Sequence, residues 1–277
     1  LFGASVSQLN VMIDTLMASF LVTGSVSWLY YSDRLVEFPL GIFSIALATV
    51  ILPGLSARHS RGEAAQFSAT LDWALRLTSL IVLPAAVGLF VLAGPLIATL
   101  FFYGEMTAHD VEMAAWSLRA YALGLVGFSF VKVLAPGFYS RQDTRTPVKV
   151  GFVAMLANLV LNLALVGPMA HAGLALATAL AACINAALLF ALLRRDYVIV
   201  LQAGWPALLA RVLAACAAMW LLLAWQLPPL DAWLQWPALQ RAGTLAAAVL
   251  GGMGVYAAVT LAAGLRLQQL RGGDITD

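Results

Sequence analysis

The chain has 277 residues, 62% hydrophobic and only 10% charged, with a net charge of +2 and a mean hydropathy of +0.92. A soluble domain carries roughly 25% charged residues, so that class is excluded and an all-α polytopic membrane protein is expected, with apolar runs of about 20 residues along the whole length. No nucleic-acid partner is expected of such a chain, and Cys183 and Cys216 sit in separate apolar runs, read as small core residues rather than a disulfide frame or metal site.

Eight spans are predicted: Phe2 to Val22, Val26 to Leu55, Leu71 to Phe102, Val111 to Phe138, Thr146 to Val166, Ala172 to Leu193, Pro206 to Gln226 and Leu239 to Leu265. The chain starts at Leu1 with no basic region or cleavage site ahead of the first run, so no signal peptide is read and a missing N-terminal portion is expected. The first span carries Gln8, Asn10 and Asp14, with Asn10 and Asp14 one turn apart on one face.

The second span holds the densest intramembrane charge, in S-V-S-W-L-Y-Y-S-D-R-L-V-E-F-P from Ser25 to Pro39. Asp33 and Glu37 are four residues apart and Arg34 is three before Glu37, so all three are expected to face the bundle interior or a wet cavity rather than lipid. A self-neutralised ion pair that only holds helices together is the bland alternative. This span is too long for a perpendicular crossing, and Pro39 supplies a place to bend. In the third span Pro84 and Pro95 are expected to kink or break the helix, and Pro136-Gly137 ends the fourth. Lys132, four residues before Pro136, either binds an anionic group in a cavity or snorkels to the surface.

The fifth span repeats the one-turn spacing with Asn158 and Asn162, and the sixth carries Thr178 and Asn185. If the first, fifth and sixth spans meet, Asp14, Asn158, Asn162 and Thr178 offer hard oxygen donors for a monovalent cation, or Asp14 a proton carrier; interhelical hydrogen bonding is the alternative. Trp28, Tyr30, Tyr31, Trp205, Trp225, Trp233 and Trp236 lie near span ends and read as an interfacial belt, with Trp28, Tyr30 and Tyr31 also candidates for a cavity wall.

Basic residues set the orientation. Arg58 and Arg61, Arg141, Arg145 and Lys149, Arg194 and Arg195, and Arg266 and Arg271 all fall on one side, against Glu105, Asp110, Glu112, His171 and Asp231 on the other. The positive-inside rule makes the first side cytoplasmic, with both chain ends there. Arg241, near an outer end, is expected to reach the interface by its stem, and Arg141 and Asp143 to pair in a tight turn. There is no G-x-x-x-x-G-K-[ST], H-E-x-x-H or G-x-S-x-G, and His59, His109 and His171 fall in separate predicted loops, so no ATP-hydrolysing or hydrolytic centre is read.

The runs G-S-V-S-W-L-Y-Y-S-D-R-L-V-E-F-P-L-G (Gly24 to Gly41), V-K-V-L-A-P-G-F-Y-S-R-Q-D-T-R-T-P-V-K (Val131 to Lys149) and G-P-M-A-H-A-G-L-A-L-A (Gly167 to Ala177) resemble the MurJ/MviN lipid II flippases of the MOP exporter superfamily. The resemblance implies fourteen helices in two six-helix lobes plus two accessory ones, alternating access, and undecaprenyl-diphosphate-linked peptidoglycan precursor as substrate. This chain matches helices seven to fourteen: residues 1–200 as the C-terminal lobe, and 201–277 as the accessory pair and cytoplasmic tail. It implies a bacterial inner-membrane transporter, not an enzyme, with lipid II and membrane lipids as partners, and either a separate N-terminal lobe or a second copy to complete it.

Arg34 matches a cavity arginine of the family, and the implied substrate set is Arg34, Asp33, Glu37, Ser27 and Lys132, the two acids orienting the guanidinium. Some relatives bind sodium where Asp14, Asn158, Asn162 and Thr178 fall, but Asn162 replaces a carboxylate, leaving Na+ or H+ as the coupling ion and no other cofactor. The last two spans match helices that form a groove for the prenyl tail. Rival readings are an exporter of another lipid-linked oligosaccharide or drug, a membrane enzyme on polyprenyl diphosphate using Asp33 and Glu37 as metal ligands, and a non-transporting scaffold.

Overall fold

The computed structural model describes the backbone of residues 2–264 and the side chains of 8–42 and 51–264; the expected tail with Leu265, Arg266 and Arg271 lies outside the described residues. Within them all regular structure is helical: α1 (Phe2–Ser19), α2 (Ser25–Ser60), α3 (Ala64–Val91), α4 (Ala93–Phe101), α5 (Ala108–Tyr139), α6 (Arg145–Arg195), α7 (Trp205–Gln226), α8 (Leu230–Gln235) and α9 (Ala238–Ala262). Among the described residues five of these, α3, α5, α6, α7 and α9, are long and apolar enough to cross a membrane.

The proline expectations divide. Helix α2 runs through both Pro39 and Pro53 for 36 residues, about 54 Å at 1.5 Å per residue, so it outreaches the hydrocarbon core of a bilayer. Pro84 leaves α3 unbroken. The break comes at Leu92, three residues before Pro95, where the missing N–H ends the ladder and α4 starts afresh. Helix α5 continues past Pro136-Gly137 to Tyr139 instead of stopping there.

Helix α6 is a folded-back pair rather than two helices joined by a loop. Ala170 adopts φ 47° and ψ −128°, which breaks the ladder, and residues 145–169 and 171–195 then lie against each other. A Cβ on Gly173 would sit 2.3 Å from the Leu165 carbonyl oxygen, so only glycine admits this return. Against the second half packs α5, whose Gly124 and Gly127 bring backbones together: an added Cβ would lie 2.5 Å from Ala179 Cα and 2.6 Å from Cys183 N. Cys183 is itself exposed, which corrects its reading as a core residue, while Cys216 is buried.

Helices α2 and α5 run parallel in fixed register. Trp28 Nε1 donates to Asp110 Oδ1 at 2.8 Å, and one turn on, Ser32 Oγ reaches the Ala114 carbonyl at 2.7 Å. The core between these elements holds Leu29, Val36, Leu118, Tyr121 and Leu125, and a second cluster toward the other end holds Leu55, Leu71, Leu134, Phe138 and Leu193.

Candidate functional site

Helix α2 is two-faced over its first four turns. Ser25, Trp28, Leu29, Ser32 and Val36 are buried, at helical spacing, whereas Ser27, Tyr30, Asp33, Arg34, Glu37 and Phe38 are exposed. Arg34 and Glu37 form a charge-assisted hydrogen bond of 2.7 Å between Nη1 and Oε2, each side chain 54% exposed. The guanidinium lies 4.9 Å from the centroid of the Tyr30 ring, one turn earlier. Glu37 and Tyr30 thus hold Arg34 from two sides, leaving its remaining N–H groups for an acceptor. The three charges lie on the open surface of this chain, outside the bundle that its own helices form. The ion pair of the alternative reading is present between Arg34 and Glu37. Because Glu37 is engaged by Arg34, the two acids do not form a ready metal site, and among the described residues no three His, Cys, Asp or Glu side chains converge as metal ligands.

Lys132 is exposed on α5, far from this face. In the α2/α5 register it lies about 24 Å along the helix axis from the level of Arg34. The described structure therefore separates it from Arg34, Asp33, Glu37 and Ser27.

The start of α2 is anchored by residues that sequence reading had left in loops or in an aromatic belt. Trp28 is buried, and its ring meets His171 edge-on at 4.7 Å and His109 at 5.8 Å. Its partner Asp110 closes a capping box with Thr107 at the start of α5, and the His171 Nε2 lies 3.0 Å from the Met113 carbonyl. Trp28 is thus a pin joining α2, α5 and the α6 return, not a cavity wall. Gly24, at φ 104°, is required beside it, since a Cβ there would meet the indole at 2.6 Å.

The second polar cluster forms where α1 meets both halves of α6. Asn162 Nδ2 donates to Asp14 Oδ1 at 2.6 Å and to Asn158 Oδ1 at 2.9 Å; Thr178 Oγ1 donates to Asp14 Oδ2 at 2.9 Å. Asn158 is better satisfied with its amide turned over. Its nitrogen then reaches Asn10 Oδ1 at 3.0 Å and Asp14 Oδ1 at 3.2 Å, and its oxygen accepts from Thr178. In that orientation it also faces Asn162 Nδ2 at 2.9 Å, donor against donor, while the buried Asn162 Oδ1 has no partner. No single assignment of the two amides satisfies every contact: in one orientation the Asn158 oxygen faces the Asn10 and Asp14 oxygens, and in the other its nitrogen faces the Asn162 nitrogen. The four residues singled out by spacing do come together.

Three of the seven belt aromatics turn inward instead. Besides Trp28, the Trp205 indole donates to Asp72 Oδ1 at 2.7 Å and the Trp233 indole to Thr99 Oγ1 at 3.1 Å. Trp225, 83% exposed, fits the belt. Tyr31 packs on Phe101 at 4.8 Å, and Trp236 on Trp233 at 5.3 Å. Arg241 does not snorkel outward: it is buried, donates to the Ala98 carbonyl at 2.8 Å at the end of α4, and lies 5.4 Å from the Phe102 and Tyr103 rings. The α4 carbonyls there form the negative pole of the helix, which draws the cation in.

Asp143 does not lean on Arg141 for its main contacts; its Oδ1 accepts from Thr146 N–H at 3.0 Å and Arg145 N–H at 3.1 Å, fastening the start of α6. Hydrogen bonding with Thr146 above all holds its carboxyl below the usual carboxylate range. Sequence reasoning missed the pair of buried Asp72 and half-buried Arg76 in α3, linked at 2.7 Å, although an i,i+4 acid and base within an apolar span was a signal to follow.

A family model described as "Lipid II flippase MurJ" matches residues 1–234. The chain is 48% identical over 271 residues to the probable lipid II flippase MurJ of Vibrio cholerae serotype O1, covering 98% of this chain and 52% of that protein. It is 43% identical over 276 residues to the probable lipid II flippase MurJ of Haemophilus influenzae, covering 98% and 54%. A solved lipid II flippase MurJ in the inward closed conformation superposes with a TM-score of 0.76 at 24% identity, over 93% of this chain and 51% of that one, which establishes likeness of fold. The chain spans about half the length of the curated relatives it matches.

Proposed function

The chain belongs to the lipid II flippase MurJ family, a family of membrane transporters, and from that membership we propose that it supplies the C-terminal lobe and accessory helices of a flippase for undecaprenyl-diphosphate-linked peptidoglycan precursor. In this reading residues 1–200 form the lobe and 201–277 the accessory pair, crossing a bacterial inner membrane eight times with both ends in the cytoplasm. A second lobe, or a second copy, covers the exposed face of α2 and closes a cavity around it.

The observation that carries the reading is Arg34, an arginine within an apolar helix that is braced by Glu37 and Tyr30 yet left open on one side. A diphosphate offers oxygens that a guanidinium binds in pairs, and displacing Glu37 makes that binding reversible. Asp33 and Ser27 belong to the same face; Lys132 serves as a separate surface contact at the other end of the helix layer. Flipping leaves the lipid chemically intact, which separates it from an enzyme acting on polyprenyl diphosphate.

The Asp14 cluster is read as the coupling site. Its oxygens, gathered around the single carboxylate of Asp14, suit one added positive charge, Na+ or H+, and competition between them separates the two.

The test is binding of lipid II to the chain in nanodiscs over a range of salt. Arg34→Ala should lower affinity about tenfold or more, and Arg34→Lys should recover only part of it. An Arg34→Lys chain as tight as the native one would defeat paired recognition.

A further inference from the structure

A cavity of about 510 Å³ opens between α3, α5 and α7, walled by apolar side chains that include Leu83, Phe90, Leu123, Val126 and Trp220. Its volume falls in the range of ligand pockets, and its lining is apolar apart from the Cys216 thiol and the Trp220 indole N–H. It is distinct from both the charged face of α2 and the Asp14 cluster.

At one end of this cleft a cation, an aromatic ring and an anion follow one another along α5. On α5, Ala122, Leu123 and Val126 line the wall, and Arg119, Trp116 and Glu112 continue the same stripe toward the start of the helix at intervals of three or four residues. Arg119 is half-buried, and its guanidinium lies 5.3 Å from the centroid of the Trp116 ring, carried away from the cleft as long helical side chains are. Glu112 is exposed about 10 Å further along the axis and is the carboxylate whose field acts on Arg119. Arg119 itself lies about 16 Å in from the start of α5, and the cleft reaches from there toward mid-helix. Moving outward, the order is apolar slot, cation, aromatic ring, anion.

We propose that this stripe and cleft bind a zwitterionic aminophospholipid of the phosphatidylethanolamine type, with an acyl chain in the cleft, the phosphodiester on Arg119 and the ammonium toward Glu112. The order of charges matches that of the headgroup, phosphate inward and amine outward. An anionic glycerol headgroup brings no cation for Glu112, and a diphosphate brings a second negative charge against it. The inference rests on the membrane placement proposed above, but not on lipid II transport.

Native mass spectrometry of the detergent-purified chain, titrated in parallel with phosphatidylethanolamine and phosphatidylglycerol, tests it. The native chain should retain the ethanolamine lipid preferentially, and Glu112→Gln should abolish that preference without abolishing binding. Arg119→Gln should lower retention of both lipids about tenfold, whereas Arg119→Lys keeps most of it. Ala217→Phe, at an exposed position of the α7 wall, should fill the cleft and weaken both while leaving the charges in place. Circular dichroism checks the fold of each variant, and if Arg119→Gln does not fold, Ala217→Phe carries the test. Equal retention of the two lipids by the native chain, a preference unchanged in Glu112→Gln, or displacement of the phospholipid by equimolar undecaprenyl diphosphate would overturn the proposal. Lipid II binding at Arg34 is measured separately, so failure here leaves that reading standing.

Discussion

At the scale of single residues, the polar groups that matter most are those with partners on remote helices. Asp72 is 1% exposed and accepts from Arg76 at 2.7 Å, from the Trp205 indole at 2.7 Å and from the Gln202 N–H at 3.2 Å. Arg76 in turn donates to the carbonyls of Gln202 at 2.8 Å and Ala203 at 2.9 Å. Removing the carboxylate strands the Trp205 indole N–H and the Gln202 N–H and leaves Arg76 with its two carbonyls alone, so Asp72→Ala should cost about 2–3 kcal/mol, read as a lowered thermal midpoint in detergent. Trp205→Phe should cost much less, about 1 kcal/mol, because Asp72 keeps its other donors. Such partnerships were only half legible. Asn158 and Asn162 declared themselves by one-turn spacing, and Asp14 by being a lone acid in an apolar run. Arg241 gave no such sign, since its acceptor is the backbone carbonyl of Ala98 in a helix distant in sequence.

At the scale of elements, runs of apolar residues reveal where helices lie, but not how they join. Hydropathy marks 146–166 and 172–193 as separate spans, yet the residues between them stay helical on either side of one strained position. Ala170, at φ 47° and ψ −128°, occupies a region that suits glycine, at a cost of about 1–3 kcal/mol for a residue with a Cβ. Ala170→Gly should therefore relieve strain and raise the thermal midpoint, by about 2–4 °C for each kcal/mol gained in a chain of this size. Gly173→Ala should do the reverse and more, because the Leu165 carbonyl blocks its methyl. A lowered midpoint for Ala170→Gly would mean that Ala170 sits in its turn without strain. The short α8 escaped notice for a simpler reason: six residues cannot display a helical period.

At the scale of the whole molecule, α7, α8 and α9 are not a loosely tethered appendage. Trp205 is bonded to Asp72 near one end of α3, the Tyr256 hydroxyl donates to the Leu80 carbonyl at 2.6 Å further along, and Trp233 and Arg241 reach Thr99 and Ala98 in α4. The strap between α6 and α7 is held as well, Val200 N–H donating to Ser68 Oγ at 2.8 Å. Fastening at successive depths along α3 and α4 removes the freedom to swing, because any rotation of α7 and α9 about one bond breaks another. The open face is instead that of α2, where Arg34, Asp33 and Glu37 lack cover from this chain. Rocking motion should thus occur between this whole body and whatever packs on α2, with the tail helices carried along. Spin labels at Ala65 on α3 and Leu261 on α9, both exposed, test this by double electron–electron resonance. One narrow distance, unchanged when lipid II and the complementary half are added, is the expected result. A broad or ligand-shifted distribution would mean that α9 moves independently of α3. The fastening bonds would then have to open during each cycle, and Asp72→Ala should broaden the distribution further.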